Sequence, residues 1–129
     1  MNNKPVIIFI LFLVLYSAFF LINPQQPTRK VIIENRTFNL LIADSVEEHS
    51  KGLMNVRKLS NADGMIFLFE DFQVRTFWNR NTLVDLDVYW MQDDKVVGKS
   101  FLPSIETTKT PVTITSPEVV NKVVEIIRR

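Results

Sequence analysis

Val84-Asp85-Leu86-Asp87-Val88-Tyr89-Trp90-Met91 is the stretch that decides the fold. Val84, Leu86, Val88 and Trp90 share one side of an extended chain, and Asp85, Asp87, Tyr89 and Met91 share the other. Successive side chains of a strand point to opposite faces, so a period of two predicts a β-strand. Gln92-Asp93-Asp94 supplies a turn, and Lys95–Phe101 returns as a partner strand. The middle of the chain is therefore a β-hairpin.

The same reading extends outward. Lys30–Glu34 and Thr37–Ala43 are rich in Val, Ile and Phe and form a second hairpin around Glu34-Asn35-Arg36. Asp44 or Ser45 caps a short helix, with Glu47 and Glu48 in its first turn, where negative charge is favoured. His49 falls on its exposed face. Gly52 weakens the helix end, and Lys51-Gly52-Leu53-Met54 predicts a backbone reversal packed on the core. Ser60–Gly64 is a turn, Met65–Phe69 a buried strand, and Val74–Trp78 a further strand. Ile105–Lys109 is expected as a polar loop and Pro111–Thr115 as a short extended piece. Ser116-Pro117-Glu118 predicts one helical turn, and the β-branched run after it a strand. Met65, Phe67, Leu86, Val88 and Trp90 are the expected core. The fold class is mainly β: a small antiparallel sandwich or barrel-like domain with one or two short helices.

Of the 129 residues, 47% are hydrophobic and 22% charged, which excludes a disordered chain, a collagen and a long coiled coil. The apolar residues are unevenly spread. Val6–Ile22 carries no charge, and only Tyr16 and Ser17 in it are polar. As a helix it would span roughly 26 Å at ~1.5 Å per residue, against a bilayer core of about 30 Å. A cleaved signal peptide should end in a small-x-small site. Here Ser17-Ala18 is followed at once by Phe19 and Phe20. The expected organisation is a membrane anchor over residues 1–22, holding the lipid bilayer through residues 6–22. A linker follows over 23–29, then a soluble β domain over 30–129. A short tail before the anchor and a whole domain after it predict a single-pass protein with its C-terminal domain outside the cytoplasm.

Charge and composition remove several function classes. Beyond residue 22 there are 14 basic and 14 acidic residues, so the body is neutral and gives no reason to bind nucleic acid. The absence of cysteine excludes disulfides, thiolate metal sites, iron–sulfur clusters and a thiol nucleophile. His49 is the only histidine, too few for an ordinary zinc site, and the three glycines form neither a P-loop nor a dinucleotide fingerprint. No metal and no cofactor are expected.

The densest polar and aromatic cluster is Phe77-Trp78-Asn79-Arg80-Asn81-Thr82. Asn and Thr side chains there can bond a ligand or their own loop. Trp78, Asn79, Asn81 and Thr82 are candidate ligand-binding residues, joined by Asp87 and, through the Lys51-Gly52 reversal, Lys51. Asp85 and Asp87 lie roughly 6.7 Å apart along a strand, a spacing compatible with paired carboxylates. The alternative is a solvated face on which both stay ionised. Asp87 is expected to bond within the Asn79–Thr82 loop and Asp85 to contribute almost nothing. Catalytic residues are unknown.

The order Leu41-Ile42-Ala43-Asp44, Lys51-Gly52-Leu53-Met54, Asp63-Gly64-Met65-Ile66-Phe67, then Phe77-Trp78 with Asn81-Thr82 and Leu86-Asp87 resembles the domain of unknown function 192 family, over about residues 29–129. The resemblance implies a compact, mainly antiparallel β domain of sandwich type, with no established reaction. Two departures stand out. Asn79 occupies a position that is usually methionine, which turns an apolar contact polar. The family also commonly continues beyond the final strand, so a sheet edge at the C-terminus is expected to be left open or paired with something else. The expected function is a membrane-tethered extracytoplasmic ligand-binding or accessory module. The alternatives are a small envelope hydrolase using Asp85 and Asp87, or a structural partner of another membrane protein joined through the open edge.

Overall fold

A computed structural model describes residues 26–129. The expected anchor lies outside the described residues, and among those described no helix is long and apolar enough to cross a membrane. The elements in chain order are β1 (Thr28–Ile33), β2 (Arg36–Ala43), α1 (Val46–Lys51), β3 (Gly64–Gln73), β4 (Thr76–Trp78), β5 (Leu86–Gln92), β6 (Lys95–Leu102), α2 (Ile105–Thr108), β7 (Thr113–Thr115) and β8 (Val120–Ile127). The fold is mainly β, with eight strands and two short helices among the described residues. Its contacts begin before the expected domain start. Ile42 donates its backbone N–H to Pro27, and the Gln26 amide donates to the Ile42 carbonyl.

Six strands form one sheet in the order β1-β2-β3-β8-β5-β6, and β4-β7 form a second, two-stranded sheet. The β1–β2 and β5–β6 hairpins form where the alternation places them. Glu34 and Asn35 take left-handed conformations (φ 50° and 63°), as a two-residue hairpin turn requires. The sheet is mixed rather than antiparallel: β2 and β3 run parallel, with Leu40 to Ala43 beside Gly64 to Phe67. A parallel pair needs a crossover, and α1 with the loop after it provides one.

β8 corrects two expectations. The residues before it bend without forming a helical turn. The strand itself lies inside the sheet, paired with β3 on one side and β5 on the other. The final strand is therefore no open edge, and the edges of the large sheet are β1 and β6. A partner joining through the C-terminal strand would find its backbone already paired.

The alternation in β5 divides two apolar clusters. Leu86, Val88 and Trp90 face one, with Met65 and Phe67 of β3, Val123 of β8 and Leu53. Tyr89 and Met91 face the other, with Ile33, Phe38, Leu40, Ile66, Val124 and Ile126. All five expected core residues are buried. The first cluster is roofed by Phe77 of β4 and Ile114 of β7. Among the described residues the second has no such roof. Val31 of β1 and Val96 of β6, from the two edge strands, both pack against it. Hydrogen bonding to Tyr89 raises the Lys99 ammonium, and Glu34 in the β1–β2 turn adds to the effect. The two outer ends of the sheet thus approach within electrostatic reach. Leu86 is fully buried, so Leu86→Ala should lose roughly 2–5 kcal/mol in denaturant titration. A loss under ~0.5 kcal/mol, the surface range, would overturn the register of β5.

Candidate functional site

The polar segment after β4 is tied into a knot by the internal hydrogen bonds of Asn79. Asn79 is fully buried. Its amide nitrogen donates to the Pro103 carbonyl (2.9 Å) and the Thr108 hydroxyl (2.8 Å). Its carbonyl oxygen accepts from the Val112 backbone (2.8 Å). One side chain so ties the loop to both flanks of α2. Asn81 adopts a left-handed turn (φ 54°), and its carbonyl accepts from Asn55. Thr82 accepts from Ile105 through its backbone. The segment expected as a polar loop holds α2 instead, capped by Ser104, whose hydroxyl accepts from Glu106. Asn79→Ala leaves the partly buried Val112 N–H without that acceptor and opens a gap at a fully buried position, and should lower unfolding stability by about 2–3 kcal/mol. A variant within ~0.5 kcal/mol of wild type in chemical denaturation would refute the knot.

The two aspartates exchange their expected roles. Asp85 accepts from the Ser104 backbone (2.8 Å) and organises the loop. Asp87 accepts instead from Arg128 (2.9 Å), away from Asn79–Thr82. It lies in a shallow depression shared with Arg36, Asp63 and Arg129. The carboxylates serve separate partners and form no paired site. Among the described residues no three His, Asp or Glu side chains group as metal ligands.

A cleft of about 560 Å³ opens elsewhere, between the end of α1 and β4. Three expected residues reach it: Lys51, Trp78 and Thr82. Ser45 fixes one wall through a capping box with Glu48. The Glu48 carboxylate accepts from the Asp44 and Ser45 backbones, which hold its pKa down. Gly52 ends α1 at φ 48° and brings the backbone against Phe67, as the expected reversal requires. The walls are aromatic. Phe77 packs edge-on to Phe67 (4.9 Å) and Trp90 (5.7 Å). His49 is not a solvated residue. Its Nε2 bonds the Ala43 carbonyl at 3.0 Å, and its ring lies 4.4 Å from that of Phe69. Arg75 also stacks on Phe69, its guanidinium 3.7 Å from the ring centroid, and pairs with Asp71. Among the described residues the buried Nε of Arg75 has no acceptor. Trp78 stands at the mouth, 45% exposed, beside the exposed Val46 and Val74.

Glu125 forms the floor of the cleft, and sequence reasoning did not single it out. It lies in β8 between Met65 and Val88, on the same face as Val123, and is only 4% exposed. Burial alone pushes its carboxyl up to about 8. The available signal was one acid inside Val123-Val124-Glu125-Ile126-Ile127, where every neighbour seeks a core.

A family model matches residues 29–128: DUF192, described as "Uncharacterized ACR, COG1430". The chain belongs to the DUF192 family. No curated protein matches it. Among solved structures it is similar to a protein of unknown function from Novosphingobium aromaticivorans, with 26% identity and a TM-score of 0.63 over 78% of this chain and 71% of that one. It is also similar to a "putative transcription regulator" from Sinorhizobium meliloti, with 26% identity and a TM-score of 0.61 over 78% of each chain.

Proposed function

We propose that this DUF192 chain is a ligand-binding module tethered to a membrane, with its domain outside the cytoplasm. The observation that carries the binding half is Glu125: a buried carboxyl at the floor of an aromatic cleft. A core position in a central strand is normally apolar, and a lone acid there costs stability unless it is paired. Concave, mostly apolar sites with a few convergent polar groups are the usual form of small-molecule sites. The uncharged run Val6–Ile22 supports the tether. The name of the Sinorhizobium protein does not transfer, since a body with 14 basic and 14 acidic residues after residue 22 releases no excess of counterions from nucleic acid.

Fragment binding to the methyl-labelled full chain in non-ionic detergent tests the cleft. Saturable shifts should gather on Val46, Leu53, Met54 and Val74. A library that leaves those methyls unmoved would overturn the binding reading. Carbonate washing tests the tether: the chain should stay in the membrane pellet with residues 1–22 attached. A mature N-terminus between residues 19 and 30 would make the segment a cleaved signal.

A further inference from the structure

The chemistry of the floor narrows the ligand class. Among the described residues the carboxyl of Glu125 has no hydrogen-bond partner, and no cation offsets its burial. The other charged or titratable groups facing the cleft are His49 and Lys51 of α1 and Arg75 before β4. Arg75 is held by Phe69 and Asp71 with its Nε unpaired among the described residues, and His49 by the Ala43 carbonyl. A cationic ligand gains nothing from Lys51 or Arg75, and its charge is matched only at Glu125. Aromatic side chains line the way in, and their π-faces tolerate an ammonium while covering a carbon skeleton.

We propose that the cleft takes ligands that end in a protonated primary amine, with Glu125 as the counter-charge at the floor and Phe67, Phe77 and Trp78 enclosing the carbon skeleton. The inference rests on the ligand-binding reading of this cleft. The amine brings the N–H donors and the positive charge that the carboxyl lacks. Glu125 gives up its proton to solvent on binding, so affinity and pH are linked. A free amine and the N-terminus of a peptide present the same group.

The test uses the full chain in non-ionic detergent, with phenethylamine and its neutral isostere 2-phenylethanol as probes. Binding is read from the ¹³C resonance of the Glu125 carboxyl and the cleft methyls. At pH 8 phenethylamine should bind about tenfold or more tightly than 2-phenylethanol, the ratio given by a hydrogen bond to a charged group. Glu125→Gln should abolish that preference. Alkyl amines stay protonated throughout this range, so phenethylamine affinity should rise about tenfold from pH 6 to 7 and level off above 8. His49→Gln should leave this profile in place. In the wild-type chain, saturating phenethylamine should move the Glu125 titration to lower pH, a readout that needs no variant. Compared at pH 7, where both amines are mostly protonated, a free-amine Phe-Gly-Gly amide that binds more tightly than phenethylamine, and is blocked by N-acetylation, would assign the amine to a peptide N-terminus. Equal or weaker binding would assign it to small amines. Equal affinities for phenethylamine and 2-phenylethanol, a preference that survives in Glu125→Gln, or an unmoved Glu125 carboxyl would each overturn the inference. The fragment experiment decides separately whether the cleft is a site at all.

Discussion

At pH 8, Glu125→Gln should be more stable than the wild-type chain by on the order of 4 kcal/mol. The carboxyl titrates near its ordinary value of 4.5 when unfolded and near 8 when buried in the fold. Between those values the unfolded state has released a proton that the folded state still holds. Stability then falls with rising pH, because the slope follows the excess of protons bound by the unfolded state, here negative. Each pKa unit is worth about 1.4 kcal/mol. Below pH 4.5 acid and amide are both neutral and of similar shape, so the two chains should unfold together. The gap opens between pH 4.5 and 8 and stays constant above. Lowered carboxylates such as Glu48 and Glu106, held by hydrogen bonds, act with the opposite sign at lower pH. They are present in both chains and cancel in the difference. Denaturant titrations of both chains from pH 4 to 9 measure it. Parallel curves across that range would mean that the Glu125 carboxyl is hydrated in the folded state.

Local pattern carried most of the strands and little of the site. Alternation in Val84–Met91 and the β-rich runs on either side of Glu34-Asn35 placed both hairpins, because each pairs with its neighbour along the chain. The parallel β2–β3 pair and the interior position of β8 depend on contacts between distant segments, which no local period encodes. α2 was missed because four residues after Ser104 are too few to show a helical stripe. In the site, Lys51 and Trp78 drew attention through an unusual glycine and an unusual aromatic, and both line the cleft. Asn79 drew attention as a polar loop residue, yet its three hydrogen bonds are all internal. Asp87 sits opposite Leu86 and Val88 along β5, so its side chain leaves the cleft face for Arg128. Glu125 has the reverse history. Its one charge looks unexceptional in a terminal strand, and it becomes unusual only when β3 and β5 close on both sides of β8.

That closure sets the other large expectation: Gly64→Ala should cost more than about 4 kcal/mol, the range reserved for severe packing or backbone conflicts. Gly64 opens β3 and pairs with Ile126 of β8. A methyl group there would lie 1.8 Å from the Glu125 carbonyl oxygen and 2.8 Å from its carbon. These are backbone atoms, so no rotamer change relieves the clash. β8 cannot retreat either, because β5 pairs with its other side. Relief requires separating β3 from β8 at the point where Met65 and Glu125 face each other, which opens the first apolar cluster and the cleft floor together. Gly98→Ala is the comparison. A methyl there would meet the Pro117 ring at 2.7 Å, on the edge strand β6. Pro117 lies outside the strands and can give way, so overpacking of about 1–3 kcal/mol is expected. Near-ultraviolet circular dichroism, dominated by the buried Trp90 and Tyr89, should be lost in Gly64→Ala and kept in Gly98→Ala. If Gly64→Ala keeps that signal and unfolds within ~1 kcal/mol of wild type, β3 and β8 are not in the close register on which the Glu125 floor depends.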